Sequence, residues 1–422
     1  MDADDFYDIH LRPSAVKKKT MSHLLTELQQ LDHEHAFQNY GTRLPYAFVK
    51  GEGARLWDSN GREYLDFLGG IAVVVLGHNH PKVTAGIAHQ ASQILHTSNF
   101  FYIEPQVRLA VKLSEMSGGM RAIFCNSGAE ANEAAIKIAR RYAYDRGETQ
   151  RVEIVTLEKS FHGRTLGALA ATGQPKYQEG FGPLPLGFKH VPFGDIEALR
   201  EAVTDKTALV MFETILGESG VLPLSGEFIL AARQICDDNG ALLAIDEVQC
   251  GCGRTGKFFA HSYFDVVPDM IPLAKGLANG VPIGAVLARE EVALALTPGS
   301  HGTTFGGNFL ASAAALATLH ALEEEGWMDN AARVGDYFQK RLCGWVEELG
   351  IEAQVRGRGL MIGVELSVPL ARKLMLQSLQ NGLVFNAVGD TILRFLPPLI
   401  ISTGDVDEAM EILSKSWNEI EK

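Results

Sequence analysis

The sequence is poor in cysteine, in long apolar runs and in positive charge. Five cysteines (Cys125, Cys236, Cys250, Cys252 and Cys343) in 422 residues is a sparse and odd number. That excludes a disulfide framework and, with no apolar leader, predicts a reducing cytoplasm. Cys250 and Cys252 form a C-x-C pair, but no second Cys/His pair with zinc spacing stands near it. Two small residues in a tight turn are expected there, and no metal. The longest apolar stretches, such as GIAVVVLG at 70–77, fall far short of a membrane span. Basic residues number 38 against 51 acidic ones, a net charge of −13, which argues against a general nucleic-acid binder. A small anionic ligand stays open, because a few local arginines override the global sign. Internal repeats and low-complexity linkers are also missing.

What remains is an ordinary globular composition, 46% hydrophobic and 21% charged. The length calls for more than one core. Residues 1–20 stand apart, acidic and then basic, and read as a flexible extension. From about residue 105, short apolar runs alternate with helical patterns: AIFC (122–125), VEIVTL (152–157), ALVMF (208–212), ALLAI (241–245), MIPLA (270–274) and IGAVLA (283–288). In 130–145, Ala131, Ala135, Ile138 and Tyr142 recur on one helical face, and 226–238 reads similarly. This alternation predicts an α/β fold with a mainly parallel sheet covered on both faces. DSNG (58–61) between two apolar patches predicts a hairpin. After about 325 the rhythm changes: helices over 329–349 and near 369–381, with short strands in GLMIGVEL and ILRFLPPL. The expected division is 21–80 with 326–422 as a smaller α+β domain from both chain ends, and 81–325 as the large domain.

Ligands sit at strand C-termini in such sheets, so the strand ends carry the chemistry. FCNSGAEANEAA runs from a strand through Ser127-Gly128-Ala129 into a helix, an anion site by geometry. SFHGRT (160–165) brings an aromatic, an imidazole and a guanidinium together. Phe161 can stack on a flat ring and Arg164 can hold a carboxylate bidentately. LLAIDEVQ aims Asp246 and Glu247 out of a buried strand, and Lys275 follows 29 residues later at another strand end. A lysine there, with a depressed pKa, can form a Schiff base. An Asp opposite a pyridine nitrogen keeps that nitrogen protonated, which is what pyridoxal 5'-phosphate (PLP) needs to act as an electron sink. Val248 is then expected against the ring face and Gln249 near its phenolic oxygen.

The set NSGAEANEAA, FHGRT, DEVQ-x-G-x-GRTG, AKGLANGVPIGA and HGTTFGGN resembles the class III (ω-amino acid) aminotransferases of PLP fold type I, over about residues 40–400. The wording is closest to the members that use acetylornithine; ornithine and succinylornithine users come next. The resemblance implies a large domain with a seven-stranded sheet, and Lys275 and Asp246 as catalytic residues. It implies cofactor contacts from Ser127, Gly128, Ala129, Phe161, Glu247, Val248 and Gln249, joined by the partner subunit's Thr304. A homodimer with active sites at the subunit interface follows from that last contact. Arg164 resembles the reader of the acetylornithine carboxylate, and Thr303 a neighbouring substrate contact. Arg394 resembles the reader of the α-carboxylate of glutamate and 2-oxoglutarate, and Glu218 the acid that covers it. The implied reaction moves the δ-amino group of N2-acetylornithine to 2-oxoglutarate. Ornithine, succinylornithine and 4-aminobutyrate aminotransferases are the close alternatives, a related aminomutase a further one, and a non-catalytic PLP-binding protein one of another class. The chain departs from the family wording at Val74, Thr214, Leu216, Ser219, Cys250 and Cys252.

Overall fold

The computed structural model describes residues 21–420, so the expected 1–20 extension lies outside the described residues. A seven-stranded sheet organises the chain: β1 (Arg121–Cys125), β2 (Glu153–Leu157), β3 (Phe188–Val191), β4 (Thr207–Phe212), β5 (Leu242–Ile245), β6 (Met270–Leu273) and β7 (Gly284–Ala288). Their spatial order is β1-β7-β6-β5-β4-β2-β3. Only β7 runs against the rest, pairing antiparallel with both β6 and β1. Six of the seven were legible as apolar runs. β3, FKHV, is not: it is half polar and lies at the sheet edge.

The strands are apolar on both faces because helices cover both. Along β4 and β5, Leu209, Met211, Leu242 and Ala244 pack into one core with Ala131, Ala135 and Ile138 of the helix Gly128–Asp145. Their neighbours Val210, Phe212, Leu243 and Ile245 pack into another with Phe228, Ile229 and Ala232 of the helix Gly226–Asn239. The two-residue alternation of strand side chains thus assigns each strand residue to one helix layer. Both helices start at a serine whose side chain accepts a backbone N–H of the first turn, Ser127 from Glu130 and Ser225 from Phe228.

The hairpin Arg55–Asp58/Glu63–Asp66 forms around DSNG as expected, with Phe48–Glu52 added on one side. On the other side Leu383–Val384 pairs with Glu63–Asp66, so the two ends of the chain share one sheet. A second four-stranded sheet, all antiparallel, contains Ala353–Arg358, Met361–Leu366, Ile392–Phe395 and Asn386–Val388. It positions Arg394, whose backbone pairs with Gly363 and Asn386. Among the described residues, no helix is long and apolar enough to cross a membrane.

Candidate active site

The C-terminal ends of β1, β2, β4, β5 and β6 converge on a cavity of 410 Å³. The backbone after β5 still follows the sheet: Asp246 N–H donates to Phe212 O (2.9 Å) and Glu247 N–H to Pro272 O (3.0 Å). Successive side chains therefore point to opposite faces. Asp246 turns into the cavity. Its Oδ2 accepts from Asn132 Nδ2 (2.8 Å) and His162 Nδ1 (2.7 Å), and its Oδ1 from Val248 N–H (2.9 Å). Glu247 turns away and is completely buried. Its oxygens accept from Ala260 N–H, His261 N–H and His261 Nδ1 at 2.8–2.9 Å. Glu247, grouped above with the cofactor contacts, lies outside the cavity and anchors the loop that follows; the strand's own periodicity is the reason.

Lys275 lines the same cavity from the end of β6, in a left-handed conformation (φ +42°). That region is uncommon for a residue with a Cβ. Burial pulls its ammonium down from the ordinary lysine range, against the opposing pull of Glu218, Glu213 and Asp246. No hydrogen bond or ion pair of its Nζ is present among the described residues. The half-buried amine is thus uncommitted, and its pKa is lowered toward its nucleophilic neutral form.

At the cavity's other end the helix Gly128–Asp145 begins. The amides of Gly128 and Ala129 lie in its first turn, where no carbonyl precedes them in the helix. A Cβ on Gly128 would come within 2.6 Å of Val248 Cγ1, so only glycine lets that wall close. Asn126 and Glu130 are occupied with each other (Asn126 Nδ2 to Glu130 Oε2, 2.9 Å), which keeps the Glu130 charge off the amides. Phe161 and Val248 supply an aromatic and a branched aliphatic wall. Two buried polar atoms beside Asp246, Asn132 Oδ1 and His162 Nε2, have no partner. An anion cradle, flat apolar walls, a buried carboxylate and an uncommitted lysine fit PLP, group by group.

Arg164 lines the cavity's remaining space, and Arg394 lies behind the lining residue Glu218. Arg164 is exposed, and its guanidinium lies over the Tyr177 ring at 3.9 Å and over Phe161 at 5.5 Å. No ion pair engages it among the described residues. Arg394 is the opposite case: only 2% exposed, it donates to Gly217 O (2.8 Å) and Asn386 Oδ1 (3.0 Å) and pairs with Glu218 at 2.9 Å. Burial by itself would raise the Glu218 carboxyl. The Arg394 and Lys275 charges outweigh that and hold it below the usual carboxylate range. Gln249 lines the cavity but its Nε2 donates to Glu218 (2.9 Å), so it serves the Glu218–Arg394 pair. Thr303 lies beside the cradle, its Oγ1 accepting from Gly306 N–H (3.1 Å) and Asn126 Nδ2 (3.4 Å). Thr304 is exposed and does not line its own chain's cavity. Sequence reasoning assigned no role to Asn132, Glu213 or Tyr177. Asn132 left a trace, a polar residue inside the apolar face of AEANEAA.

The "Aminotransferase class-III" family model matches residues 36–416. The acetylornithine aminotransferase of Methanocaldococcus jannaschii is 50% identical over 392 residues, covering 93% of this chain and 98% of that protein. The ornithine aminotransferase of Toxoplasma gondii, described with partial occupancy of PLP at its active site, superposes with a TM-score of 0.89 at 32% identity, covering 100% of this chain and 99% of that one. The acetylornithine aminotransferase of Elizabethkingia anophelis gives a TM-score of 0.85 at 33% identity, covering 94% of this chain and 99% of that one.

Proposed function

This chain belongs to the class-III aminotransferase family, and from that premise we propose that it transfers the δ-amino group of N2-acetyl-L-ornithine to 2-oxoglutarate. The products are N-acetyl-L-glutamate 5-semialdehyde and L-glutamate, a step of arginine biosynthesis in the cytoplasm. The observation that carries this reading is the unequal state of the two arginines. A donor with one carboxylate far from its reacting amine needs one reader, Arg164. Glutamate reacts at its α-amine and brings a second carboxylate close to the reaction centre, which needs Arg394. Glu218 at 2.9 Å neutralises Arg394 when that second carboxylate is absent. We read 81–325 as the cofactor domain, and the two chain ends as the smaller unit that delivers Arg394.

Bound PLP supplies the electron sink that makes the bond to the reacting carbon's hydrogen acidic. The chain's residues do the rest. The Gly128 and Ala129 amides hold the phosphate, and Phe161 and Val248 exclude water from the ring faces. Asp246 keeps the ring nitrogen protonated. Lys275 would hold the cofactor covalently through its amine and, when that amine is free, would take and return the proton at the reacting substrate carbon. Adding acetylornithine, succinylornithine, ornithine, 4-aminobutyrate and glutamate separately to the loaded enzyme tests the donor. The fastest loss of the cofactor's visible band is expected with acetylornithine among the ω-amines.

The site is proposed to be completed by a second copy. Phe100, Phe101 and Tyr102 are 93%, 68% and 96% exposed, and Phe305 is 60% exposed. Asn99 Nδ2 donates to Thr303 O (3.0 Å), so these aromatics and Thr304 belong to one rim. So much exposed aromatic surface favours a protein contact. A homodimer that buries this rim carries Thr304 to the neighbouring cradle.

Two results are expected from the carboxylate readers. Truncating one partner of a buried charge pair costs about 2–5 kcal/mol, or roughly 30- to 5000-fold. Arg394→Ala should slow the glutamate half-reaction by about that factor and the acetylornithine half-reaction far less. Glu218→Ala should do the reverse, leaving Arg394 open to α-amino acids. Stopped-flow measurement of each half-reaction decides it, and equal losses in both for Arg394→Ala would remove Arg394 as a glutamate reader. Tyr177→Ala should raise KM for both substrates about 2- to 30-fold, the worth of a cation–π contact of ~0.5–2 kcal/mol, with kcat little changed. Tyr177→Phe should retain wild-type KM; a rise equal to that of Tyr177→Ala would show that the stacked ring is not what orients Arg164.

A further inference from the structure

Glu213, directly after β4, is 4% exposed and lines the cavity. It touches neither arginine by any bond found, yet it stands between both. Its Oε1 accepts Phe161 N–H (3.0 Å), in the segment that ends at Arg164. Its Oε2 accepts Gly217 N–H (3.2 Å), and the same residue's carbonyl accepts from Arg394 (2.8 Å). Gly217 is packed closely against Gln249, since a Cβ there would lie 1.7 Å from Gln249 Oε1, and Gln249 in turn bonds Glu218. One carboxylate therefore joins the stretch carrying the first reader to the stretch carrying the second reader and its cover.

We propose that Glu213 is a positioning residue that fixes the Phe161–Arg164 segment against the Gly217–Glu218 segment, so that both arginines meet the two carboxylates of one ligand at once. This rests on Arg164 and Arg394 being the carboxylate readers. A ligand with a single carboxylate needs no such register and is indifferent to the link. Only the ionised side chain offers a charged acceptor to each N–H. Once protonated, one oxygen becomes a neutral hydroxyl, a poorer acceptor, and the charge-assisted bond to one of the two N–H groups is weakened. Burial raises this carboxyl to about 7 and Asp246 adds to the rise, while His162 and the two backbone N–H groups oppose it. Lys275, Glu218, Arg394 and Cys250 are the other titratable or charged groups of this neighbourhood. The sign follows: dicarboxylate affinity is full above about pH 7 and falls as the pH drops through that value and Glu213 takes up a proton.

The test is calorimetric binding of glutarate, an unreactive five-carbon dicarboxylate, and of butyrate, its monocarboxylate counterpart, to the holoenzyme from about pH 6 to about pH 8.5, a range that brackets neutrality. Glu213→Gln keeps the volume but must present its amide to one of the two N–H groups. It is expected to weaken glutarate about 10- to 100-fold at pH 8, leave butyrate within about 2-fold, and flatten the pH dependence of glutarate binding, with cofactor content unchanged. Glu213→Asp keeps a titrating carboxylate and should keep a pH step. Wild-type glutarate affinity in Glu213→Gln, equal losses for both ligands, or loss of the pH step in Glu213→Asp would each overturn the proposal. Arg394→Ala is the control for the reading beneath it: if that variant binds glutarate like wild type, the assignment of readers fails, whatever Glu213 does.

Discussion

Lys275→Ala is expected to abolish turnover while the protein still takes up PLP. General acid–base transfer by one side chain contributes ~10²- to 10⁴-fold, and the same lysine is also the proposed nucleophile that would hold the cofactor, so both losses fall on one residue. Nothing else in the cavity can substitute. Arg164, which also lines the cavity, stays protonated, and the acids of the lining have no amine to offer. Retention of PLP follows because the groups that fit it are independent of Lys275: the Gly128 and Ala129 amides, the Phe161 and Val248 walls, and Asp246. The fold should tolerate the change. The backbone there sits at φ +42°, and alanine bears the same Cβ penalty as lysine. Removing the half-buried ammonium also relieves a partly desolvated charge. Absorbance and mass spectrometry report cofactor content, and a coupled glutamate assay reports turnover. A small primary amine in the buffer should restore a fraction of the proton transfer. Near-normal turnover of Lys275→Ala without added amine would show that another group does this work.

The residues that define the cofactor end were legible because each occupies a strand end or a helix start, and apolar periodicity locates both. Asp246, Lys275 and the Ser127–Ala129 cradle all fall where those patterns break. Glu247 shows the limit of that reasoning. It stands beside Asp246 in the sequence, but the strand's alternation sends it to the opposite face, toward His261. Glu213 and Tyr177 were illegible for another reason. Glu213 bonds Phe161 across 52 residues, and Tyr177 meets Arg164 and Phe161 from beyond the helix Leu166–Ala171, and no local pattern encodes either contact. The departures from family wording sort themselves once packing is known. Leu216 is fully buried in the core with Phe228 and Leu243 and does not line the cavity. Thr214 Oγ1 meets Cys250 Sγ at 3.5 Å, so two of the departures are packed neighbours. Val74 stands behind the lining residue Val73. None of the departures falls on Arg164 or Arg394, the proposed readers, or on Glu218, the proposed cover of Arg394.

Asp246→Ala should cost several orders of magnitude in the rate of either half-reaction, for a reason distinct from that of Lys275. A ring nitrogen in a dry cavity stays protonated only beside a fixed negative charge. Uncoupling one member of a buried charge pair typically costs ~3–5 kcal/mol, or about 10²- to 10⁴-fold when the charge matters in the transition state. The structure adds a second consequence. Asp246 accepts from Asn132 Nδ2, His162 Nδ1 and Val248 N–H at once, so its removal strands the buried His162 Nδ1 and leaves Asn132 Nδ2 only its bond to His162 O. Each unsatisfied donor costs about 1–3 kcal/mol, and the melting temperature should fall together with the rate. Asp246→Asn separates the two effects. It keeps the volume and an acceptor for Val248 N–H, but carries no charge, and its amide faces the donors of Asn132 and His162. The rate should therefore fall nearly as far as in Asp246→Ala, with a smaller loss of melting temperature. Asp246→Glu keeps the charge and should be the mildest of the three if the longer side chain still meets His162. Single-turnover rates with glutamate, read beside melting curves, distinguish these outcomes. An Asp246→Asn enzyme that matched the wild-type single-turnover rate would leave this carboxylate a structural anchor for His162 and Asn132 and take it out of the chemistry.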